Sequence, residues 1–174
     1  MVKKRGAVPR IKICGLTRME EASYLNEIRA MYAGFVLWEK SRRNVSPARA
    51  EEIGKHLDKK IKRVAVTVSP DLELLRQIEA CGFDILQVHG DLPEEVLAQC
   101  RIPIWRACNL KQPQDLKGLE RHPGISGYVV DAGTAGSGRT FDWQGSRKAV
   151  EEMKATVCAE TDFILAGGLN PENI

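Results

Sequence analysis

Short β-rich runs of apolar residues recur along the chain, and a polar, helix-like stretch follows almost every one of them. Runs of this length and composition predict strands, and the stretches between them predict helices. The predicted strands are Arg10–Cys14, Tyr32–Leu37, Arg63–Val68, Asp84–His89, Pro103–Ala107, Gly127–Asp131 and Asp162–Ala166. The predicted helices are Met19–Ala30, Pro47–Leu57, Asp71–Cys81, Pro93–Gln99, Gln112–Leu119 and Trp143–Ala155.

Start signals support several of these helices. Ser46-Pro47 and Ser69-Pro70-Asp71 each place a capping residue closely before a proline, and proline suits the first turn of a helix. Asp142 can cap the helix that Trp143 begins. The segment Asn170-Pro171-Glu172 is typical of the start of one more helix.

Strands joined by helical crossovers form a parallel sheet, either doubly wound and open or closed as a (β/α)₈ barrel. No Gly-x-Gly-x-x-Gly motif follows the first strand, which argues against a dinucleotide site. Polar residues instead end many strands: Cys14, His89, Asp131 and the pair Gly167-Gly168. An active site assembled from many strand ends is typical of the C-terminal face of a barrel. We therefore expect an α/β fold of the TIM (β/α)₈ barrel type, in one domain over residues 1–174.

The length of the chain sets one condition on that expectation. Seven strands do not close an eight-stranded barrel, and such barrels usually need about 200 residues or more. The chain has 174 residues and stops at Ile174, where a helix should begin. The sequence thus predicts a barrel without its last βα unit, incomplete at the C-terminus.

Composition narrows the class of protein. Hydrophobic residues make up 43% and charged residues 28%, which argues against disorder. The net charge of +3 comes without a stripe of basic and aromatic residues, so a solvated surface is favoured over nucleic-acid binding. The five cysteines include no Cys-x-x-Cys pair, which argues against a disulfide framework and against a metal site. With no signal peptide and no membrane-length apolar run, we expect a cytoplasmic location.

Cys14 ends the first predicted strand and precedes a glycine turn. A lone cysteine in an apolar strand is usually a small buried hydrophobe, but strand ends face the mouth of a barrel. Because side chains alternate along a strand, Lys12 shares a face with Cys14 and lies beneath it. A nearby ammonium favours the thiolate, so we hypothesise that Lys12 makes Cys14 a usable base.

Asp131 ends the sixth predicted strand. A carboxylate after an apolar strand can serve as a general acid or base, although a helix cap or a loop residue is an equal alternative. It lies roughly across a barrel from the first strand. Asp131 and Cys14 are therefore placed to act on opposite faces of a small substrate.

Four further features are candidates for ligand binding. Gly167-Gly168 at a strand end lets backbone N–H groups approach a phosphate, in the part of a barrel where phosphate is often bound. Arg42-Arg43 follows the second strand and either grips a carboxylate or is solvated surface. His89 is either a structural histidine or a polar wall of the site. The glycine-rich loop 133–140 is a linker or a mobile lid.

The segment Ile11-Lys12-Ile13-Cys14-Gly15-Leu16-Thr17 resembles the opening signature of the phosphoribosylanthranilate isomerases, which are ribulose-phosphate-binding barrels. Each single match would be weak, but the ordered set spans nearly the whole chain and is specific. The other matching segments are Gly34-Phe35-Val36-Leu37, Ser41-Arg42-Arg43 with Ser46-Pro47, Gln87-Val88-His89-Gly90, Gly136-Ser137-Gly138 with Thr140-Phe141-Asp142-Trp143, and 165–173.

The resemblance implies a cofactor-free Amadori rearrangement in tryptophan biosynthesis. It implies that Asp131 is the general acid that protonates the ribose ring oxygen, and that Cys14 is the general base that takes the proton from C2. It further implies that Arg43 holds the anthranilate carboxylate, and that Gly167 and Gly168 form half of the phosphate site. The expected partner is a small phosphorylated substrate, with no nucleic acid or membrane, and the expected state is a monomer or homodimer.

Three departures from the family pattern stand beside the matches. The family's second phosphate-binding loop, which follows strand eight, is absent, strand three reads Val64–Val68 without a Gly-Val-Phe-like run, and Arg29–Tyr32 lacks the usual Gly-Ala-Asp. The alternative to an isomerase is an inactive barrel fragment that only binds a phosphorylated ligand or a partner chain. An indole-glycerol-phosphate synthase is a weaker alternative. Its chemistry needs a lysine acid and a glutamate base at strand ends, and the predicted strand ends offer no such pair.

Overall fold

A computed structural model of the chain describes residues 10–110, 122–132 and 161–167, and a parallel sheet of seven strands organises these residues. The strands are β1 (Lys12–Cys14), β2 (Tyr32–Val36), β3 (Lys62–Val68), β4 (Ile85–His89), β5 (Ile104–Leu110), β6 (Ile125–Ala132) and β7 (Asp162–Ala166). The helices within the described ranges are α1 (Glu20–Glu27), α2 (Pro47–Gly54), α3 (Leu72–Ala80) and α4 (Glu94–Gln99).

The seven predicted strands and the first four predicted helices are confirmed, although several of their ends were predicted wrongly. β5 continues to Leu110 and β6 begins at Ile125, because the two strands stay paired beyond their apolar runs, as far as Leu110 with Ala132. The helices predicted at Gln112–Leu119 and Trp143–Ala155, and the start at Asn170-Pro171-Glu172, lie outside the described residues.

Two of the predicted helix starts can be checked against hydrogen bonds. The Ser46 hydroxyl accepts from the Arg49 N–H at 3.1 Å, which confirms the cap of α2. For α3 the cap is Asp71, whose carboxylate accepts from the Leu74 N–H at 2.8 Å. The prediction that Ser69 caps this helix was wrong, because the Ser69 hydroxyl instead accepts from the backbone of the loop after β4, at Asp91.

Both faces of the sheet are apolar, as is usual for parallel strands that are covered on each side. On the outer face, Phe35 of β2 and Leu86 of β4 are fully buried in one cluster with Ile53 of α2 and Ile78 of α3. Burying one such side chain stabilises the fold by about 1.5–3 kcal/mol. The inner face has its own cluster of buried residues, which are Tyr32, Val36, Val64, Val66, Ile85, Trp105 and Val129.

The order of the strands decides between the two architectures that the sequence allowed. Neighbours in the sheet are consecutive in the chain, from β1 at one end to β7 at the other. A doubly wound sheet reverses its strand order at a switch point, and this sheet does not. The strands form a curled half-barrel, with helices packed on its outer face.

The two end strands of the sheet approach each other on the N-terminal side. Arg10, just before β1, forms an ion pair of 2.7 Å with Asp162, the first residue of β7. The same guanidinium donates to the Tyr32 hydroxyl and lies over the Tyr32 ring, 5.6 Å from its centroid. Arg10 thus links the start of β1 to β2 and β7, and the sheet curls far enough for one side chain to bridge its two ends.

We predict that Arg10 and Asp162 are energetically coupled. In a double-mutant cycle of Arg10→Met and Asp162→Asn, followed by urea unfolding, the coupling should be about 0.2–1 kcal/mol, because both side chains are partly exposed. The pair Arg76–Glu73 in α3, at 3.8 Å and largely exposed, is the matched control and should couple more weakly. Zero coupling between Arg10 and Asp162 would contradict the approach of the two end strands.

Candidate active site

The inner face of the sheet collects the polar side chains that the sequence places at strand ends. Because side chains alternate, Lys12 and Cys14 of β1, His89 of β4 and Asp131 of β6 face the same side as the inner apolar cluster. Cys14 packs directly against that cluster. Asp131 lies two residues beyond Val129, a member of the cluster, and is half-buried.

The end of β1 is held in place by the backbone of β2. The N–H groups of Gly15 and Leu16 both donate to the carbonyl of Gly34, at 2.8 and 3.1 Å. Gly15 makes the turn with φ of +92°, a conformation that side chains disfavour. The half-buried thiol of Cys14 therefore has a fixed position at the carboxyl end of the strand.

Gly34 leaves the space that the two functional side chains of β1 occupy. Cys14 is paired with Gly34 in the β1–β2 ladder. A Cβ at Gly34 would lie 2.9 Å from Sγ of Cys14 and 3.1 Å from Nζ of Lys12. The thiol and the ammonium are therefore neighbours above this glycine, in the arrangement that strand alternation predicts.

Arg43 reaches back from the loop after β2 to the end of β1. Its Nη1 donates to the carbonyl of Cys14 at 3.0 Å. Its side chain lies against Gly15, where a Cβ would approach Cδ of Arg43 to 2.7 Å. The residue is otherwise exposed, so the structure brings Arg43 and Cys14 together and leaves most of the guanidinium donors for a ligand.

Charged groups on three strands influence the imidazole of His89. Burial lowers the pKa of its imidazole, and the positive charges of Lys12 and Arg106 act in the same direction, while the Asp131 carboxylate opposes them. The charges of Lys12 on β1 and Asp131 on β6 thus both influence this one ring. The side chain of Gln87 also reaches the ring, with its Nε2 2.9 Å from Nε2 of His89.

The other cysteines within the described residues are poor bases. Burial raises the pKa of the Cys108 thiol to about 11. Burial also raises the pKa of Cys81 and of Cys100. Cys158 lies outside the described residues. Cys14 combines a half-buried thiol on the inner face with the neighbouring ammonium of Lys12.

The candidate phosphate site is described only at its first residue. Gly167 follows β7 with φ of +86°, which suits glycine at a strand end that turns sharply. Gly168 and the glycine-rich loop 133–140 lie outside the described residues. The backbone N–H of Gly167 is thus placed at the rim where β7 ends, on the same side of the sheet as Asp131.

Within residues 10–110, 122–132 and 161–167, no group of three or more histidine, cysteine or acidic side chains could hold a metal ion. None of the helices in these ranges is long and apolar enough to cross a membrane.

The segments Gln87–Gly90 and Gly34–Leu37 are among the sequence motifs of the chain, but the motifs predict no role for Gln87 or Gly34. The alternation of side chains could have placed Gln87 beside His89, because the two residues are separated by one position on β4. The role of Gly34 depends on its register with Cys14, which local sequence does not supply.

The chain is similar to known proteins over nearly its whole length. The family described as N-(5'phosphoribosyl)anthranilate (PRA) isomerase matches residues 11–174. An N-(5'-phosphoribosyl)anthranilate isomerase of Streptococcus mutans is 37% identical over 167 residues, which are 95% of this chain and 79% of the relative.

Solved structures show the same similarity. Phosphoribosyl anthranilate isomerase from Thermotoga maritima is 30% identical, with a TM-score of 0.81 over 96% of this chain and 80% of that chain. A phosphoribosyl anthranilate isomerase in complex with reduced 1-(o-carboxyphenylamino)-1-deoxyribulose 5-phosphate is 28% identical, with a TM-score of 0.77 over 95% of this chain and 79% of that chain.

We predict that Gly34→Ala moves the thiol of Cys14 away from the ammonium of Lys12. The added methyl group overlaps both side chains, so Cys14 should react more slowly with iodoacetamide at neutral pH, and the fold should lose about 1–3 kcal/mol. Mass spectrometry of the alkylated protein follows the rate at Cys14.

Gly124→Ala is the matched control for this substitution. Its Cβ would meet the end of a flexible leucine, Cδ1 of Leu97, at 2.7 Å, and it should leave the reactivity of Cys14 unchanged. Alkylation of Cys14 at the wild-type rate in Gly34→Ala would show that the glycine does not position the thiol.

Proposed function

The chain belongs to the N-(5'-phosphoribosyl)anthranilate isomerase family, and on that premise we propose that Cys14 and Asp131 are the general base and the general acid of its reaction. The reaction is the Amadori rearrangement of N-(5-phosphoribosyl)anthranilate to 1-(2-carboxyphenylamino)-1-deoxyribulose 5-phosphate, a step of tryptophan biosynthesis. The observation that carries the proposal is the common interior that Cys14, Lys12, His89 and Asp131 share.

The first step needs an acid at the ring oxygen of the ribose. Asp131 donates its proton to this oxygen while the bond from C1 to the oxygen breaks, and the anthranilate nitrogen supplies the electron pair for the C1–N double bond. The result is an open-chain Schiff base. A half-buried carboxyl group at the end of β6 suits this role because it is held by the sheet and reaches the interior.

The second step needs a base at C2 of the opened sugar. The thiolate of Cys14 takes the proton from C2, and the electron pair moves through the Schiff base to its nitrogen, which forms an enolamine. The enolamine then tautomerises to the ketone. Lys12 supports this step, since an ammonium beside the sulfur favours the thiolate over the thiol.

Three further groups bind the substrate in this proposal. Arg43 holds the anthranilate carboxylate, and its position against Cys14 brings the aromatic end of the substrate to the base. Gly167 contributes a backbone N–H to the phosphate site, and Gly168, outside the described residues, contributes the next. His89 forms a polar wall of the proposed site. A relative solved with a bound reduced product analogue supports a site for such a ligand in this fold.

We further propose that the described strands are seven strands of a (β/α)₈ barrel in a single domain. The sequential strand order and the ion pair between Arg10 and Asp162 support this proposal. The chain spans 79% of the length of the Streptococcus mutans relative. The absence of the last βα unit, the monomeric or homodimeric state and the cytoplasmic location stay predictions.

We predict that Cys14→Ala and Asp131→Asn each lower kcat/KM by about 10²–10⁴-fold, the usual contribution of a general acid or base. The loss of fluorescence of freshly generated phosphoribosylanthranilate measures turnover. Cys81→Ala, which removes a thiol on the outer side of the sheet, is the matched control and should keep wild-type turnover. Folded Cys14→Ala or Asp131→Asn with wild-type turnover would exclude the role assigned to that residue.

The role of Lys12 is tested separately. We predict that Lys12→Met slows the alkylation of Cys14 at neutral pH and lowers kcat, because the sulfur loses its neighbouring positive charge. Lys12→Arg should restore part of both effects. Lys59→Met removes an exposed ammonium far from the sulfur and should change neither. An alkylation rate that is identical in wild type and Lys12→Met would exclude the hypothesis.

A further inference from the structure

Gln87 is a buried polar side chain in the apolar interior of the sheet. It is 3% exposed, lies on β4, and faces the same side as His89. A buried amide destabilises a fold unless its hydrogen bonds are satisfied. No partner for its Oε1 lies among the described residues.

The contact between Gln87 and His89 determines where the imidazole carries its proton. Nε2 of Gln87 lies 2.9 Å from Nε2 of His89. The nitrogen of a side-chain amide donates hydrogen bonds and does not accept them, so in this orientation of the amide the ring nitrogen is the acceptor. An imidazole whose Nε2 accepts is neutral and is protonated at Nδ1.

We propose that Gln87 is a positioning residue that holds His89 as the neutral imidazole with its proton on Nδ1. The amide acts through the ring and does not need to touch the substrate.

The charged groups around His89 agree with a neutral ring. The positive charges of Lys12 on β1 and Arg106 on β5 both disfavour the imidazolium, as does burial. The negative charge of Asp131 on β6 favours the imidazolium. Burial is the largest of these influences, and together they lower the pKa of His89. Accepting from the amide of Gln87 adds to this effect, because an imidazolium has no free lone pair at Nε2.

The neutral state of His89 matters for Asp131, and this part of the inference rests on the proposed function. A general acid must carry its proton when the substrate arrives. An imidazolium would place a positive charge near the proposed acid, and a positive charge favours the ionised form of a carboxyl group. By keeping His89 neutral, Gln87 keeps this charge away from Asp131.

Nitrogen-15 NMR of the histidine side chains tests the tautomer in the intact chain. Two-bond ¹⁵N–¹H correlations separate a protonated from an unprotonated ring nitrogen, and the His89 signals are assigned by their loss in His89→Asn. We expect wild type to show protonated Nδ1 and unprotonated Nε2 across neutral pH. Protonated Nε2 in wild type would overturn the proposal, and this measurement needs no variant of Gln87.

Two variants test whether Gln87 is the cause. Gln87→Met removes the donor and should give a mixture of tautomers. Gln87→Glu presents an acceptor and should move the proton to Nε2 and raise the pKa of His89. Gln77→Met, which removes an exposed amide bound to Glu73 on α3, is the control and should leave His89 unchanged. An unchanged tautomer in folded Gln87→Met would overturn the proposal.

Turnover separates this inference from the proposed function. We expect kcat to fall more than 10-fold in Gln87→Glu with little change in KM, and the pH at which activity is half-maximal to shift. Wild-type kcat in a variant whose tautomer has changed would overturn the positioning role. Absence of turnover in wild type, with the expected NMR pattern, would overturn the proposed function and leave the tautomer assignment standing.

Discussion

The pairing of Cys14 with Gly34 across the first two strands sets the position of the thiol that we propose as the general base. The carbonyl of Gly34 accepts two backbone hydrogen bonds from the turn after Cys14, which fixes the end of β1. The missing side chain of Gly34 gives room to Sγ of Cys14 and Nζ of Lys12. Arg43 then closes over the same turn. One register between two short strands therefore places the proposed base, its neighbouring cation and the proposed carboxylate anchor.

Charges of opposite sign face one another across the inner side of the sheet. Lys12 at one end of the strand order places a cation next to Cys14, and Asp131 near the other end carries the carboxyl group that we propose as the acid. The charges of both residues influence the half-buried ring of His89. In the proposed mechanism a neutral ring is compatible with both roles, because an imidazolium would favour the ionised form of a neighbouring carboxyl group. The sheet is curled, and Arg10 links its two ends through Asp162.

Much of the fold was readable from the sequence because its signals are local. Apolar runs predict the strands, and the capping residue Ser46 marks the start of α2. The alternation of side chains along a strand correctly predicts that Lys12 and Cys14 lie on one face of β1. The strand ends were harder to predict, since β5 continues to Leu110 through pairing with a strand that lies distant in sequence.

The sequence predicts only part of the candidate site, because the rest depends on contacts that local motifs do not specify. Sequence motifs identified the segments that contain Gly34 and Gln87, yet the roles of these residues come from contacts between strands or between neighbouring side chains. The space above Gly34 depends on the β1–β2 register. The bond from Gln87 to His89 depends on rotamers that strand alternation leaves open.

The placement of Cys14 and Asp131 on opposite sides of the reacting sugar is tested most directly by a crystal structure with reduced 1-(o-carboxyphenylamino)-1-deoxyribulose 5-phosphate bound. The expected complex has Sγ of Cys14 about 3–3.5 Å from C2 of the ligand, with Asp131 on the other face of the sugar. The ligand carboxylate should lie at Arg43 and its phosphate at the N–H of Gly167. A ligand bound with Cys14 and Asp131 on the same side of the sugar, or with its phosphate away from Gly167, would contradict the proposed roles.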